Sequence, residues 1–259
     1  MDLKEMRDRI DAIDRQIVSL LNSRYEVVCE VGKWKLERGL PIYVPEREKA
    51  LLEKLDSLNQ GPMLRSTLHA IYREIMSGAY PLERQLRVAY FGPVATYTHQ
   101  AAKQQFGASV EYFSRPGIAD VFRDVEAEIV DYGVVPVENS TEGVVNHTLD
   151  LLLESSVKVC AEINLPIHHA LLSKSELSEI KKVYSHPQSL AQCRNFLTEH
   201  LPGVELIEAS SNSRAAQLAT EDTSAAAICS ELAATVYDLN IIAAKIEDNP
   251  RNTTRFFVI

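Results

Sequence analysis

Residues 81–92 read PLERQLRVAYFG, and the rhythm of the chain changes inside them. Before this stretch, apolar residues return at three- and four-residue steps. After Leu86 they come in short blocks that end in glycine or polar turns. The first rhythm is that of amphipathic helices and the second that of strands alternating with helices. Its first part, PLERQ (81–85), is read as the junction between a helical domain, residues 1–84, and an α/β domain, residues 86–259.

Upstream, Leu3, Met6, Ile10, Ile13, Ile17, Leu20, Leu21, Val28 and Val31 trace one stripe. It predicts a single long helix running to about Glu37, where Gly39 and Pro41 of RGLP stop it. A second helix opens at PEREKALLEKL, with Pro45 suited to a first turn. NQGP separates it from a third, from about Met63 to Leu82. One very long helix and two shorter ones cannot bury their stripes alone, so a helical dimer is expected.

Downstream, LRVAYFG (86–92), YGVVPVE (132–138), VKVCAEI (157–163), HHALLS (168–173), KVYSH (182–186) and RFFVI (255–259) read as strands. Helical stretches lie between them: TYTHQAAKQQFG (96–107), VVNHTLDLLLES (144–155), QSLAQCRNFLTEH (188–200) and SNSRAAQLATE (211–221). Alternation of this kind predicts an α/β fold with a largely parallel sheet.

Composition narrows the partners. A formal net charge of −9 over 259 residues argues against nucleic acid and anionic membranes. Cys29, Cys160, Cys193 and Cys229 stand far apart with no C-x-x-C pair, which suits inert thiols in a reducing cytosol. The opening MDLKEMRDRIDAIDR is acidic and amphipathic, unlike a signal peptide, and no apolar run is long enough to span a membrane. A soluble, cytoplasmic protein is expected.

The helical stripes carry charges where a core wants none. Arg24 and Lys35 continue the series Ile17, Leu21, Arg24, Val28, Val31, Lys35, and Arg7 lies at its edge. Arg47 lines up with Leu51 and Leu55, Glu48 with Leu52, and Glu83 with Leu68, Tyr72, Ile75 and Ala79. Any one such residue reads equally as a snorkelling or ion-paired side chain. Four cations and two acids aimed at one interior imply an anionic ligand, and a dicarboxylate is expected.

MRDRIDAIDRQIVSLLNSRYEVVCEVGKWK followed by PERE resembles the all-helical chorismate mutase family, over nearly all of residues 2–84. The resemblance implies an intertwined dimer that rearranges chorismate to prephenate without a cofactor. Carried over by position, Arg7 comes from the partner chain, and Arg24 and Arg47 hold carboxylates. Lys35 touches a carboxylate and the ether oxygen, Glu48 accepts from the substrate hydroxyl, and Glu83 faces the ether oxygen. Two departures stand out. Val44 occupies a position where some members carry a charge, and Pro81 lies two residues before Glu83, where a proline inside the third helix would kink it.

In the α/β half four stretches are unusually polar: GPVATYTHQAA (92–102), PVENSTEGVVNHT (136–148), SHPQSLAQC (185–193) and NTTRFF (252–257). Three follow a predicted strand, where α/β sheets collect their binding sites. Thr96, Thr98, Asn139, Ser140, Thr141 and Ser185 would present donors there, although each also reads as a helix cap. His147 and His186 are the histidines with chemical interest. The pair His168–His169 reads as alternating faces of a strand rather than a metal site.

Together these stretches resemble the prephenate dehydratase family, with its G-P-x-x-T-[FY]-[ST], P-[VI]-E-N-S-x-x-G, S-H-P-Q and T-R-F marks in order over residues 86–259. Val94 and Ala95 depart from the usual Glu and Gly; the alanine matters only if its backbone needs a positive φ. The resemblance implies two α/β lobes of periplasmic-binding-protein type with a cleft between them, and a terminal strand returning to the first lobe. It assigns Thr254 as proton donor to the departing hydroxide and Arg255 as a cation near a carboxylate. Asn139, Ser140, Thr141, Thr96, His186 and Gln188 are the candidates for holding substrate. Aromatisation drives loss of carbon dioxide, so no metal or other cofactor is implied.

The combined expectation is a two-activity enzyme of phenylalanine biosynthesis. The rival reading is a two-lobed small-carboxylate sensor fused to a helical dimerisation domain; it leaves the buried charges and Thr254 without a task. A further rival keeps the mutase and makes the α/β half a degenerate allosteric domain. The chain ends at Ile259, so the small phenylalanine-binding regulatory domain of ACT type, common beyond T-R-F, is expected to be missing, and with it sensitive feedback inhibition.

Overall fold

The computed structural model describes residues 2–259 and separates into two units, one of residues up to Leu86 with Phe106–Glu111, the other of Arg87–Gln105 and Tyr112–Ile259. In the first unit α1 (Leu3–Leu36) opens on a capping box. Asp2 accepts from the Glu5 N–H, and the Glu5 side chain accepts from the Asp2 N–H. α2 (Pro45–Leu58) starts on Pro45, and α3 (Arg65–Ser77) follows. The single third helix expected to reach Leu82 is instead two. α3 stops at Ser77, Gly78 follows, and α4 (Tyr80–Glu83) restarts with Pro81 in its first turn. There a missing N–H costs nothing, because first-turn amides have no partner inside the helix. The proline therefore begins a helix and does not kink one.

Along α1 the apolar residues Leu3, Met6, Ile10, Ile13, Ile17, Leu20, Val27 and Val31 are exposed in the single chain. The segment 106–111 packs on the helices. The Ser109 N–H donates to Ser77 Oγ (2.9 Å) and the Ala108 N–H to Glu74 Oε2 (3.1 Å). Gly107, at φ 74°, sits where a Cβ would lie 2.4 Å from Ser77 Cβ.

The second unit begins with β1 (Arg87–Phe91), α5 (Tyr97–Phe106), β2 (Glu111–Arg115), α6 (Ile118–Glu126), β3 (Tyr132–Asn139), β4 (Gly143–Val144), α7 (Asn146–Glu154) and β5 (Ala161–Pro166). It continues with β6 (Ala170–Ser173), β7 (Lys182–Ser185), α8 (Pro187–Gln192), α9 (Arg194–His200), β8 (Glu205–Glu208), α10 (Asn212–Glu221), β9 (Ala225–Cys229), α11 (Glu231–Tyr237), β10 (Asn240–Ala244) and β11 (Thr253–Val258). Two sheets result, one per lobe. The first has the order β2-β1-β3-β11-β5 with β4 beside β3; the second runs β10-β6-β9-β7-β8.

Neither sheet is largely parallel, as the alternation had suggested. β1 and β3 run parallel, but β11 is antiparallel to both β3 and β5; β7 pairs β8 and β9 in parallel, while β6 is antiparallel to β9 and β10. The cause is connectivity. The chain leaves the first lobe after β5 and comes back as β11, so the returning strand enters its sheet from the opposite end.

The loop ahead of α5 joins the lobes. Ala95 takes φ 68°, so this backbone does need the left-handed region that an alanine enters at a cost of roughly 1 kcal/mol. Its methyl is buried among Ala170, Leu172, Ala215 and Cys229 of the second lobe. Ser230 Oγ donates to Ala95 O (3.0 Å), Ser213 Oγ donates to Val94 O (2.6 Å), and the Ala95 N–H donates to His99 Nδ1 (3.1 Å). His99 stacks on Tyr90 at 4.5 Å, and burial, with Lys103 adding a little, lowers its pKa to about 4. A neutral ring is what an acceptor nitrogen requires.

Because the folded state refuses a proton that the unfolded chain accepts, His99 contributes stability that is complete above pH 6.5 and declines as pH falls toward about 4. His99→Gln is expected to flatten the dependence of α/β-unit stability on pH over that window, measured by urea unfolding at a series of pH values.

Candidate active sites

In the helical unit the misplaced charges surround one cavity of about 630 Å³. α1 contributes Arg24 and Lys35, α2 contributes Arg47 and Glu48, and α4 contributes Glu83; Val28, Val31, Val44 and Leu51 form apolar wall. Lys35 Nζ donates to Ile42 O (2.8 Å) and faces Glu83 Oε2 at 3.5 Å. The break between α3 and α4 does not turn Glu83 outward: its side chain is 9% exposed. Arg24 Nη1 is buried without a hydrogen-bond partner among the described residues. A guanidinium nitrogen stranded in this way is costly unless an anion completes it. Arg7 is exposed on α1 and does not line the cavity of its own chain.

Tyr80, which the sequence reading passed over, donates its hydroxyl to Glu48 Oε1. Burial raises the Glu48 pKa, with the Tyr80 hydrogen bond and then Lys35 opposing the rise. Gly32 was missed as well. It is buried near the C-terminal end of α1, and a Cβ there would lie 2.7 Å from Glu83 Cγ and 3.2 Å from Glu83 Cα. A glycine inside a helix is unfavourable by about 1 kcal/mol relative to alanine. It is tolerated here because it lets α4 lie against α1.

In the α/β unit Thr254 is 8% exposed and pairs in register with Asn139 of β3 and Leu165 of β5. Thr254 Oγ1 accepts from Asn139 Nδ2 at 2.6 Å. The other end of that amide, Asn139 Oδ1, accepts from the N–H groups of Thr141 (2.9 Å) and Glu142 (3.1 Å), which fixes the turn after β3. The Ser140 N–H donates to Thr253 O (2.9 Å), Ser140 Oγ accepts from the Thr253 N–H (3.0 Å), and that hydroxyl donates to Asn252 Oδ1 (3.2 Å). Asn139 is thus brought to Thr254 itself, Ser140 to its neighbours Thr253 and Asn252, and Thr141 only to Asn139 through its backbone.

Arg255 is not. Alternation along a strand sends it to the opposite sheet face from Thr254. There Nη1 pairs with Glu138 Oε2 (3.2 Å), Nε with Glu162 Oε2 (3.2 Å), and the guanidinium lies 5.3 Å from the Phe257 ring. The expected cation beside a substrate carboxylate is occupied by two acids. Thr96 is a local cap, its Oγ1 donating to Pro93 O (3.0 Å) and accepting from the His99 N–H (3.3 Å). Ser185 is structural too, donating to Ile228 O (2.7 Å) and contacting Asn212 Oδ1 (3.0 Å). His186 precedes α8 with its N–H on Asn212 Oδ1 (3.1 Å), and Gln188 is half-buried in that helix. His147 is exposed on α7.

Hydrogen bonds tie Thr254's neighbours to the second lobe. Asn252 Nδ2 reaches Gln192 Oε1 (3.4 Å), which also meets His169 Nε2 (2.8 Å); His169 Nδ1 meets the Tyr97 hydroxyl (2.7 Å). The two crossings between lobes are hydrogen-bonded together, Ile167 N–H to Asn252 O (2.8 Å) and Ile246 N–H to His169 O (3.0 Å). The pair His168–His169 therefore lies in a crossing ahead of β6 and not within a strand. Burial pushes the Tyr97 phenol well above its usual range and lowers the His169 pKa. Burial also pushes Glu247 upward, but hydrogen bonds from His168 Nδ1 (2.6 Å) and the His169 N–H (2.9 Å) outweigh it and hold the carboxyl low.

Comparison with known proteins follows the same division. Residues 6–84 match the family model for chorismate mutase type II, and residues 88–259 match that for prephenate dehydratase. A bifunctional chorismate mutase/prephenate dehydratase of Aquifex aeolicus is 49% identical over 263 residues, covering 100% of this chain and 73% of its own. The enzyme of the same description from Pseudomonas aeruginosa is 44% identical, over 99% of this chain and 72% of its own. Among solved structures, prephenate dehydratase from Arthrobacter aurescens in complex with L-Phe superposes with a TM-score of 0.61 at 34% identity, covering 67% of this chain and 59% of that one.

The helical unit is a chorismate mutase domain and the two-lobed unit a prephenate dehydratase domain. The chain belongs to the family of bifunctional chorismate mutase/prephenate dehydratases. It serves phenylalanine biosynthesis, rearranging chorismate to prephenate and converting prephenate to phenylpyruvate. The sensor reading is set aside by this membership.

Gly32→Ala is expected to push Glu83 aside and lower the mutase rate at least tenfold while dehydratase activity stays at the parent level. Arg255→Gln is expected to leave the Michaelis constant for prephenate within twofold, since the native guanidinium is already paired; a large rise would return Arg255 to the substrate.

Proposed function

We propose that the helical cavity binds chorismate as a dicarboxylate, and the observation that carries this is the buried, unpartnered Nη1 of Arg24 beside Lys35 and Arg47. A pericyclic rearrangement breaks one C–O bond and forms one C–C bond without a nucleophile or a net proton transfer. The site has to hold the reactive conformer and stabilise negative charge growing on the ether oxygen. Arg24 and Arg47 take the carboxylates, Lys35 takes a carboxylate and the ether oxygen, and Glu48 accepts from the substrate hydroxyl. Glu83 faces the ether oxygen, which only accepts, so any hydrogen bond between them is donated from the Glu83 side. The exposed apolar stripe of α1 supports a homodimer through the helical domain. In such a dimer Arg7, unused in its own cavity, is available to the partner's.

In the α/β unit the substrate is prephenate, and its ring hydroxyl leaves as carbon dioxide departs. The C–CO2 electron pair moves into the ring, the C–O bond breaks, and the leaving oxygen takes a proton. Thr254 is assigned as donor. With Oγ1 accepting from Asn139 Nδ2, its own proton is free to point at the leaving oxygen, and the incoming hydrogen bond makes it a stronger donor. Ser140, Thr141, and His186 and Gln188 from the second lobe are assigned to holding the substrate. The four cysteines are free thiols, in keeping with work in the cytoplasm.

The two assignments separate by mutation. Thr254→Val is expected to cost the dehydratase at least a hundredfold and leave the mutase unchanged, while Thr254→Ser keeps most activity. Arg24→Ala is expected to do the reverse, raising the Michaelis constant for chorismate. Chorismate and prephenate, supplied separately and followed spectroscopically, read the two steps; loss of both activities in a folded single variant would sink the two-site assignment.

A further inference from the structure

We propose that Tyr80 is a positioning residue of the mutase site, holding one oxygen of Glu48 so that the other is presented to the substrate hydroxyl. The proposal rests on the reading of Glu48 as that hydroxyl's acceptor. Tyr80 is 6% exposed and sits in the first turn of α4, the short helix created when α3 stops at Ser77. From there its hydroxyl crosses to α2 and donates to Glu48 Oε1. At the N-cap of α2 the cavity wall is Val44, whose side chain offers the carboxylate no partner. Lys35 lies close, but its ammonium is directed to Ile42 O and Glu83 Oε2. A carboxylate on a flexible stem needs a second point of attachment before it can favour one substrate conformer. The phenol supplies it from a ring fixed by burial.

The same bond governs ionisation. Glu48 shares its cavity with Arg24 and Lys35 of α1, Arg47 and Lys54 of α2, and Glu83 of α4. Burial favours its neutral form, and the Tyr80 hydroxyl, ahead of Lys35, favours the charged one. A neutral Glu48 loses acceptor capacity toward the substrate, so removing the phenol should shift the acid limb of mutase activity to higher pH.

The experiment is a double-mutant cycle on the full chain with Tyr80→Phe, Glu48→Gln and the pair. Tyr80→Phe is expected to lower mutase kcat/KM roughly tenfold, mostly in kcat, and to raise the midpoint of the acid limb. In the Glu48→Gln background the same change is expected to cost less than twofold and move no limb. Dehydratase activity in every preparation should match the parent. The midpoint does not depend on how much of a variant is folded, so it remains readable if Tyr80→Phe lowers the yield. An unmoved midpoint, or an equal loss in the Glu48→Gln background, overturns the role of Tyr80 alone. Parent-level mutase activity in a separate Glu48→Leu variant, which removes the acceptor that a glutamine oxygen would keep, overturns the acceptor assignment, and the proposal falls with it.

Discussion

The α/β unit depends on the return of its last strand. β11 is hydrogen-bonded on both sides, to β3 and to β5, so it is central to the first lobe although it comes from the far end of the chain. Central position has two consequences. The strand must be apolar on its buried face, which Phe256 and Val258 satisfy. Anything polar on that face must be hydrogen-bonded, which Thr254 satisfies through Asn139. The ladder therefore fixes the hydroxyl's position to within the tolerance of a β-sheet, and the neighbouring side chain fixes its direction. The antiparallel return also forces two crossings between lobes to lie side by side, and it is there that Asn252, Gln192, His169 and Tyr97 form their chain of hydrogen bonds.

In the helical unit the governing constraint is the cost of burying charge. Arg24, Lys35, Glu48 and Glu83 are all withdrawn from water to different degrees, and the single chain satisfies them unevenly. Lys35 and Glu83 find each other, and Glu48 finds Tyr80. Among the described residues, Arg24 keeps one nitrogen without a partner. Burying an unpaired cation opposes folding, and binding a carboxylate there recovers part of that cost. Preorganisation for an anion and instability without it are thus one property of the site.

The sequence reading succeeded where one physical signal dominated. The stripe of α1 is long and uninterrupted, and β1, β3 and β11 combine β-branched and aromatic residues between turn signals. It failed where two signals conflict. β9 reads AAAIC, a central strand made of a good helix former, and its place in the sheet comes from packing of α10 rather than from propensity. β2, β8 and β10 are short strands at or near sheet edges, half solvated and weakly patterned. QSLAQCRNFLTEH looked like one helix but breaks at Cys193 into α8 and α9. The third helix was drawn through Gly78 because its stripe continues in register across the break. Among site residues, the charges on apolar stripes were legible because they violate the pattern. Gly32 and Tyr80 violate nothing locally, and the turn of Arg255 away from Thr254 is hidden because a motif records neighbours in sequence while a strand sends neighbours to opposite faces.

Both reactions avoid a covalent intermediate, and that explains the kind of residue each site uses. Neither demands a strong nucleophile or a metal-bound water from the chain's own side chains. Each demands that donors and charges stand still while electrons move within the substrate. Stillness has to come from neighbours, and in both units the neighbour is a residue with no evident role of its own. Asn139 is held by two backbone amides before it touches Thr254. Tyr80 is held by burial before it touches Glu48. Gly32 acts by having no side chain, so that the backbone carrying Glu83 can approach. The groups proposed to meet the substrates are ordinary, a threonine and two glutamates, and what fixes them in place sets the chemistry open to them.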